Sequence, residues 1–253
     1  MNRTHRSMSR IDMLLVERGL VPSRARAQAV VMAGLVDVDG VRVDKAGTRV
    51  FTDAAVHLRT SGPTYVSRGG DKLQGALVSF APHGLCVHGL VVADFGASTG
   101  GFVDCLLQHD ARRVHAIDVG HGLLHERIRS DPRVVVWERT NARYITQETL
   151  GESVDLVVID ASFIGLSKLL GAAHAVLRDE GQVLALIKPQ FEAGRREVSR
   201  GRGVIRDDET RAAVICETMA GIEAAGFDLI ADAACVIPGP KGNHEHFAFV
   251  RKR

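Results

Sequence analysis

VVADFGASTGG, residues 91–101, decides how this chain is read. Three apolar residues, Val91, Val92 and Ala93, run into a carboxylate, Asp94. A glycine-rich turn follows, and Phe102 opens an amphipathic run. An apolar strand that ends in such a turn and feeds a helix is the entry to a nucleotide-type site. Glycines let the backbone come close to a ligand, and a helix N-terminus offers free N–H groups. The spacing is D-x-G-x-S-x-G-G. It is neither the G-x-G-x-x-G of NAD enzymes nor the G-x-x-x-x-G-K-[ST] of phosphate loops. The competing reading is a tight strand-to-helix turn that binds nothing.

Downstream of this stretch, strands and helices alternate. The pattern predicts strands at 91–95, 114–118, 134–138, 156–160, 183–188, 229–236 and 246–252, and helices near 101–109, 122–129, 145–150, 165–177 and 208–225. Near-continuous apolar runs such as LVVID and VLALI mark a parallel sheet buried on both faces. The fold class expected is α/β: a doubly wound, Rossmann-like sheet of seven strands with its ligand at the strand C-terminal edge. Chemistry in such a fold collects at strand ends, here Asp94, Asp118, Glu138, Asp160 and Lys188. Asp118 lies about twenty residues past the glycine turn, where an acid accepts the ribose hydroxyls of an adenosine cofactor, a nicotinamide dinucleotide included. Asn141 and Arg143, past the third strand, are candidates to flank adenine or simply surface polar residues. Lys188 ends the buried run LALI, and lysine is rarely buried unless paired. Glu245 sits in a glycine-rich turn ahead of the last strand. Lys72 falls at the start of a helix, where the dipole disfavours a cation, so it serves a site or is an exposed lysine.

Upstream, residues 1–9 read as a flexible basic tail. Residues 10–59 read as a very small α+β domain. It holds one helix through Ile11, Leu14 and Leu15 that stops at Gly19, and a second capped by Ser23 that ends at Gly34. A hairpin turning on Asp39-Gly40 and a strand from Ala55 to Leu58 complete it. Arg10, Arg18, Arg24 and Arg26 give it a cationic face that suits RNA phosphates, the bland alternative being a solvated basic surface. Residues 60–64 (TSGPT) are a linker, and 65–253 form the large domain. Arg68 and a second cluster, Arg195, Arg196, Arg200, Arg202 and Arg206, add cations for the same partner.

Composition agrees. The 253 residues are 45% apolar, enough for a sizeable core, and the net charge of +2 conceals the two local basic clusters. Four cysteines, Cys86, Cys105, Cys216 and Cys235, form no C-x-x-C and sit in apolar contexts. That predicts buried thiols in a reducing, cytoplasmic setting and no metal site. The N-terminus lacks the apolar core of a secretory signal. No apolar run approaches the roughly 18 residues of a membrane span.

Several motifs together carry a family resemblance. The stretch around residues 91–101 resembles the first motif of S-adenosylmethionine (SAM) methyltransferases. Ser23–Gln28 (S-R-x-x-A-Q), the G-L-V-x-V-x-G of residues 34–40 and the V-D-K after it resemble the RNA-binding module named after ribosomal small-subunit protein four. Lys72, Asp160, Lys188 and Glu245 resemble the K-D-K-E tetrad of FtsJ-like ribose 2′-O-methyltransferases. With YVSRGG-x-KL, VVIDASFI, IKPQFE-x-G and PGPKGN-x-E, nearly the whole chain is similar to the haemolysin A-like (TlyA) family. His244 and His246 depart from the family pattern on either side of Glu245. The resemblance implies methylation of cytidine 2′-hydroxyls in ribosomal RNA or ribosomal subunits, with SAM as cofactor. It implies Lys188 as base within the tetrad, and SAM held by Asp94, Gly96, Ser98, Gly100, Gly101, Asp118, Asn141 and Asp160. Three other readings stay open: an NAD-type oxidoreductase, a non-catalytic ribosome-assembly factor, and a membrane-active protein, as the family name suggests. Oligomeric state is not legible.

Overall fold

The computed structural model describes residues 7–32, 34–58, 64–193, 204–239 and 242–253. It divides between Thr64 and Tyr65 into two compact units.

The smaller unit carries strands β1 (Met8–Arg10), β2 (Val36–Val38), β3 (Val41–Val43), β4 (Arg49–Phe51) and β5 (Val56–Leu58), and helices α1 (Ile11–Glu17) and α2 (Arg24–Met32). Gly19 (φ 67°) follows α1 and Gly34 (φ 66°) follows α2, both left-handed as helix stops require. Ser23 Oγ accepts the Arg26 N–H at 3.3 Å, the expected cap. Asp39 (φ 50°) and Gly40 (φ 80°) turn the β2–β3 hairpin between the paired Val38 and Val41. Positive φ at both central positions is what a type I′ turn demands. The apolar faces of α1 and α2 bury Ile11, Leu15, Val30 and Val31 with Val36 in one core. One expectation is corrected. Met8 and Ser9 are not tail: β1 pairs antiparallel with β4, an extra two-stranded sheet. Its strands are three residues long, too short for periodicity to reveal. Residues 1–6 and linker positions 60–63 lie outside the described residues.

The larger unit is built on β6 (Val91–Phe95), β7 (Arg113–Ile117), β8 (Val134–Trp137), β9 (Val154–Ile159), β10 (Leu177–Ile187), β11 (Phe227–Ala234) and β12 (His246–Lys252). Its helices are α3 (Arg68–Phe80), α4 (Gly101–Gln108), α5 (Glu126–Arg129), α6 (Gln147–Leu150), α7 (Ser167–Val176), α8 (Pro189–Glu192) and α9 (Asp208–Ala224). The seven strands lie in the order β11-β12-β10-β9-β6-β7-β8. β6 to β10 run parallel, but β12 is antiparallel to both β10 and β11, so the sheet is mixed and not wholly parallel. Each buried strand divides its residues between two cores. Val92, Val158, Leu184, Leu186, Phe247 and Phe249 face α3 and α4, while Ala93, Phe95, Val157, Ile159, Val183 and Ala248 face α7. Each valine, leucine, isoleucine or phenylalanine among them contributes about 1.5–3 kcal/mol by leaving water.

Element lengths also depart from expectation. The region 122–129 is helical only over α5, because Gly120 and Gly122 donate N–H bonds to Asp118 and Glu138. Pro189 ends β10 at Ile187 and opens α8, placing Lys188 at that helix's N-cap. Thiol burial is corrected as well. Cys105 is buried, and burial pushes its thiol up to about 12, but Cys86 and Cys216 are exposed. Cys86 stands in the loop between α3 and β6, and Cys216 on the solvent side of α9.

Candidate active site

The chain steps from β6 out to β7 and β8, then returns to β9 and β10 on the other side of β6. A crevice opens at the strand C-termini where the direction reverses. Two adjoining cavities occupy it. One, of about 520 Å³, is lined by Arg68, Lys72, Gly96, Gly101, Asp160 and Lys188, among others. The second, about 400 Å³, is lined by Asp118, Asn141, Ala142, Phe163, Ile164 and Leu169, among others. Gly96, Ser98, Asp160 and Ser162 belong to both.

The sheet pleat explains why these polar groups converge. Side chains alternate faces along a strand. Leu156 and Val158 point to the α3 side, so Asp160 does too; Leu184 and Leu186 carry Lys188, and Phe249 and Phe247 carry Glu245. Register completes the placement. Ile187 pairs with His246, so one step further sets Lys188 opposite Glu245. Phe95 pairs with Ile159, so Gly96 falls opposite Asp160. Gly96 holds a φ of 98°, and a Cβ there would lie 3.0 Å from the Asp160 carbonyl oxygen, so both its conformation and its surroundings call for glycine.

The two lysines form two ion pairs. Lys72, buried in the second turn of α3 and not in its first, donates to Glu245 Oε2 at 2.5 Å. Lys188 Nζ lies 2.6 Å from Asp160 Oδ1 and donates to Ser162 Oγ at 2.9 Å. The Asp160 contact is an ion contact without hydrogen-bond alignment, since Oδ1 has no hydrogen-bond partner among the described residues. Lys72, Asp160 and Lys188 face the cavity, and Glu245 backs Lys72 against Gly239. His246 points to the opposite face of the sheet and pairs with Asp232 at 2.6 Å.

The loop residues divide by task. Asp118 accepts the Ser98 N–H at 2.8 Å and the Gly120 N–H at 2.7 Å, so it braces the glycine loop while facing the second cavity. Gly100 (φ 92°) is the left-handed N-cap of α4 and lines neither cavity; it packs under Leu124 and Ile128. Gly101 packs against the N-terminus of α3 and also reaches the cleft. Asn141 Oδ1 caps the Arg143 N–H beside the second cavity. Glu138, a strand-end candidate, instead takes Gly122 N–H and the Arg129 guanidinium. Phe163 was not anticipated. It is 91% exposed, adopts φ 65° and rests on Phe191 with ring centroids 5.1 Å apart. Ser162 was also missed, although a hydroxyl two residues past Asp160 was a visible signal.

Asp94 lies beneath the loop and lines neither cavity. It is wholly buried, neither oxygen has a hydrogen-bond partner among the described residues, and burial, then the Asp160 and Asp118 charges, raise its pKa well above the usual carboxylate range. A raised folded pKa gives stability that is full below the unfolded value and is lost as pH rises. Asp94→Asn cannot ionise. Its melting temperature relative to wild type is therefore expected to climb as pH is taken from about 4 to about 7. A difference that stays flat across that range in melting scans would refute the assignment.

The cationic candidates are engaged within the fold. Arg18 donates to the Ala54 and Thr52 carbonyls, and Arg68 to the Pro238 carbonyl at 2.7 Å. Arg10 and Arg24 turn to Asp12, Arg26 lies on α2, and Arg206 is exposed. Arg195, Arg196, Arg200 and Arg202 lie outside the described residues.

Residues 65–252 match the FtsJ-like methyltransferase family, and residues 9–53 match the S4 domain. The chain is 43% identical over 244 residues to the 16S/23S rRNA (cytidine-2′-O)-methyltransferase TlyA of Mycobacterium tuberculosis (strain H37Rv), covering 96% of this chain and 90% of that protein. It is 38% identical to Hemolysin A of Brachyspira hyodysenteriae, over 94% of this chain and 98% of that one. Among solved structures, a hemolysin-named chain from Streptococcus thermophilus superposes with a TM-score of 0.72 at 38% identity, covering 98% of this chain and 89% of that one. Among the described residues, no helix is long and apolar enough to cross a membrane.

Proposed function

The chain belongs to the TlyA-type branch of the FtsJ-like methyltransferase family, and on that premise we propose that it moves a methyl group from SAM to a ribose 2′-hydroxyl of ribosomal RNA, at a cytidine. The observation that supports this best is the convergence of Lys72, Asp160 and Lys188 on one cleft with the glycine loop, with Glu245 bonded to Lys72. The residues present fit SAM. The second cavity offers the Asp118 carboxylate for ribose hydroxyls and the apolar Ile164 and Leu169 for an adenine ring. Gly96 leaves the backbone bare where the two cavities meet.

SAM supplies an electrophilic methyl on a sulfonium; the protein's part is to align the hydroxyl and remove its proton. Lys188 accepts that proton. To serve as base the amine must first release to solvent the proton it carries in its ion pair; it then takes the hydroxyl proton and is again an ammonium beside the Asp160 carboxylate. Ser162 fixes the amine's direction. Lys72 lines the same cavity, with its amine held by Glu245. The S4 unit supplies cations for the RNA, and the reaction belongs in the cytoplasm, where ribosomal RNA is.

The test is transfer of labelled methyl from SAM to unmodified ribosomal subunits and to their free RNA, with the product mapped by resistance to alkaline cleavage. Label on a cytidine ribose is the expected outcome. Label on a base overturns the 2′-O reading, and no label on any of these RNAs overturns the catalytic one.

A further inference from the structure

We infer that Asp12 is a positioning residue for RNA binding: a buried carboxylate that gathers Arg10, Arg24 and Gln28 into one fixed donor cluster for RNA phosphates. This rests on the proposed reading of the small unit as RNA-binding. Asp12 sits in the first turn of α1 and is 0% exposed. Arg10 grips it with two parallel bonds, Nε to Oδ1 and Nη2 to Oδ2, each 3.0 Å. Arg24 Nε reaches Oδ2 at 3.2 Å and Gln28 Nε2 reaches the same oxygen at 3.3 Å, both from α2. Three donors from two segments therefore meet on one acid.

Neutralising a buried acid needs one guanidinium, and Arg10 alone supplies a bidentate one. A second guanidinium makes the cluster net positive. Two cations held this close repel unless a carboxylate lies between them, so Asp12 is what allows their crowding. The Arg10 guanidinium holds the Asp12 carboxyl well below the usual carboxylate range despite burial. The acid stays charged at any pH where RNA is bound. Both arginines keep about half of their side-chain surface in solvent, 43% and 57%. Arg24 reaches Asp12 through Nε, and its side chain is 57% exposed. Ordering these long side chains in the free protein removes an entropic cost from binding.

The test exploits opposed signs. Asp12→Asn raises the net charge by one, and a surface that attracts RNA by charge alone would then bind more tightly. Positioning predicts the reverse: affinity for unmodified ribosomal RNA falls about tenfold, roughly one charge-assisted hydrogen bond. Because Asp12→Asn also risks loosening the small unit, a double-mutant cycle accompanies it. The loss should overlap with that of Arg24→Ala and add to that of Arg26→Ala. Equal or tighter binding by Asp12→Asn, or strict additivity with Arg24→Ala, overturns the proposal. An Arg26→Ala substitution that has an effect in wild type and none in the Asp12→Asn background reports unfolding, and overturns it too. If neither Arg24→Ala nor Arg26→Ala weakens RNA binding in the wild-type background, the RNA-binding reading of this unit fails instead.

Discussion

Lys188→Ala is expected to lower methyl transfer by about 10²- to 10⁴-fold while leaving SAM affinity within about twofold of wild type. The size follows from what is lost. A positioned base contributes that factor to proton abstraction, and the neighbouring lysine of the cleft, Lys72, is already bonded to Glu245. SAM affinity is largely spared because Asp118 and the glycine loop brace each other without the amine, which touches the second cavity through Asp160 and Ser162. The substitution also leaves Asp160 without its cation. Breaking a buried pair costs up to about 3–5 kcal/mol, less here because the Asp160 side chain is 21% exposed. Lys188→Met keeps the apolar stem and removes only the amine, so it separates stability from chemistry. Added small primary amines should restore part of the rate to Lys188→Ala and none to Lys188→Met, whose side chain fills the space. Near-wild-type turnover by either variant would remove Lys188 from the base role.

How much of this site was legible in the sequence depends on the kind of signal. Strand ends are legible because buried strands are continuous apolar runs, and the first polar residue marks the edge. Asp118, Asp160 and Lys188 were found that way. Lys72 and Glu245 gave weaker local signals, a cation near a helix start and an acid in a glycine-rich turn, and the family resemblance joined them to the other two. The pleat then shows why all four meet, since even-numbered residues of β9 and β10 and odd-numbered ones of β12 share the α3 face. Sequence spacing could not divide the glycines by task. Both Gly96 (φ 98°) and Gly100 (φ 92°) hold left-handed backbone; a Cβ on Gly96 would also meet the Asp160 backbone, and one on Gly100 the Leu124 side chain. Asp12 was missed because an acid among arginines reads as surface charge. Only the fold shows that α2 brings Arg24 and Gln28 onto it. The strands at 227–234 and 246–252 were legible, but the reversed direction of β12 was not, because strand direction leaves no trace in composition.

Gly101→Ala is expected to destabilise the protein by about 1–3 kcal/mol and to weaken SAM binding, although alanine is the better helix former. Gly101 opens α4, and nothing in its own backbone conformation requires glycine. The requirement comes from α3. A Cβ there would lie 2.2 Å from Ser67 Oγ, 2.8 Å from the Gly70 amide nitrogen and 3.2 Å from the Gly69 Cα. The serine hydroxyl can rotate aside, but the Gly70 nitrogen belongs to a helix and cannot. The N-terminus of α3 must therefore retreat, and it carries Ser67, Arg68 and Gly69 of the cleft wall with Lys72 close behind. In a unit of this size each kcal/mol lowers the melting temperature by about 2–4 °C. Ser67→Ala combined with Gly101→Ala should recover only part of the loss, because the backbone contact remains. Gly171→Ala is the matching control: it lies inside α7 with open space where its Cβ would go, and it should stabilise by about 0.5–1 kcal/mol. Melting scans with and without SAM read both effects together. Wild-type melting and an undiminished SAM-induced shift in Gly101→Ala would mean that the close approach of α3 and α4 does not shape the cleft.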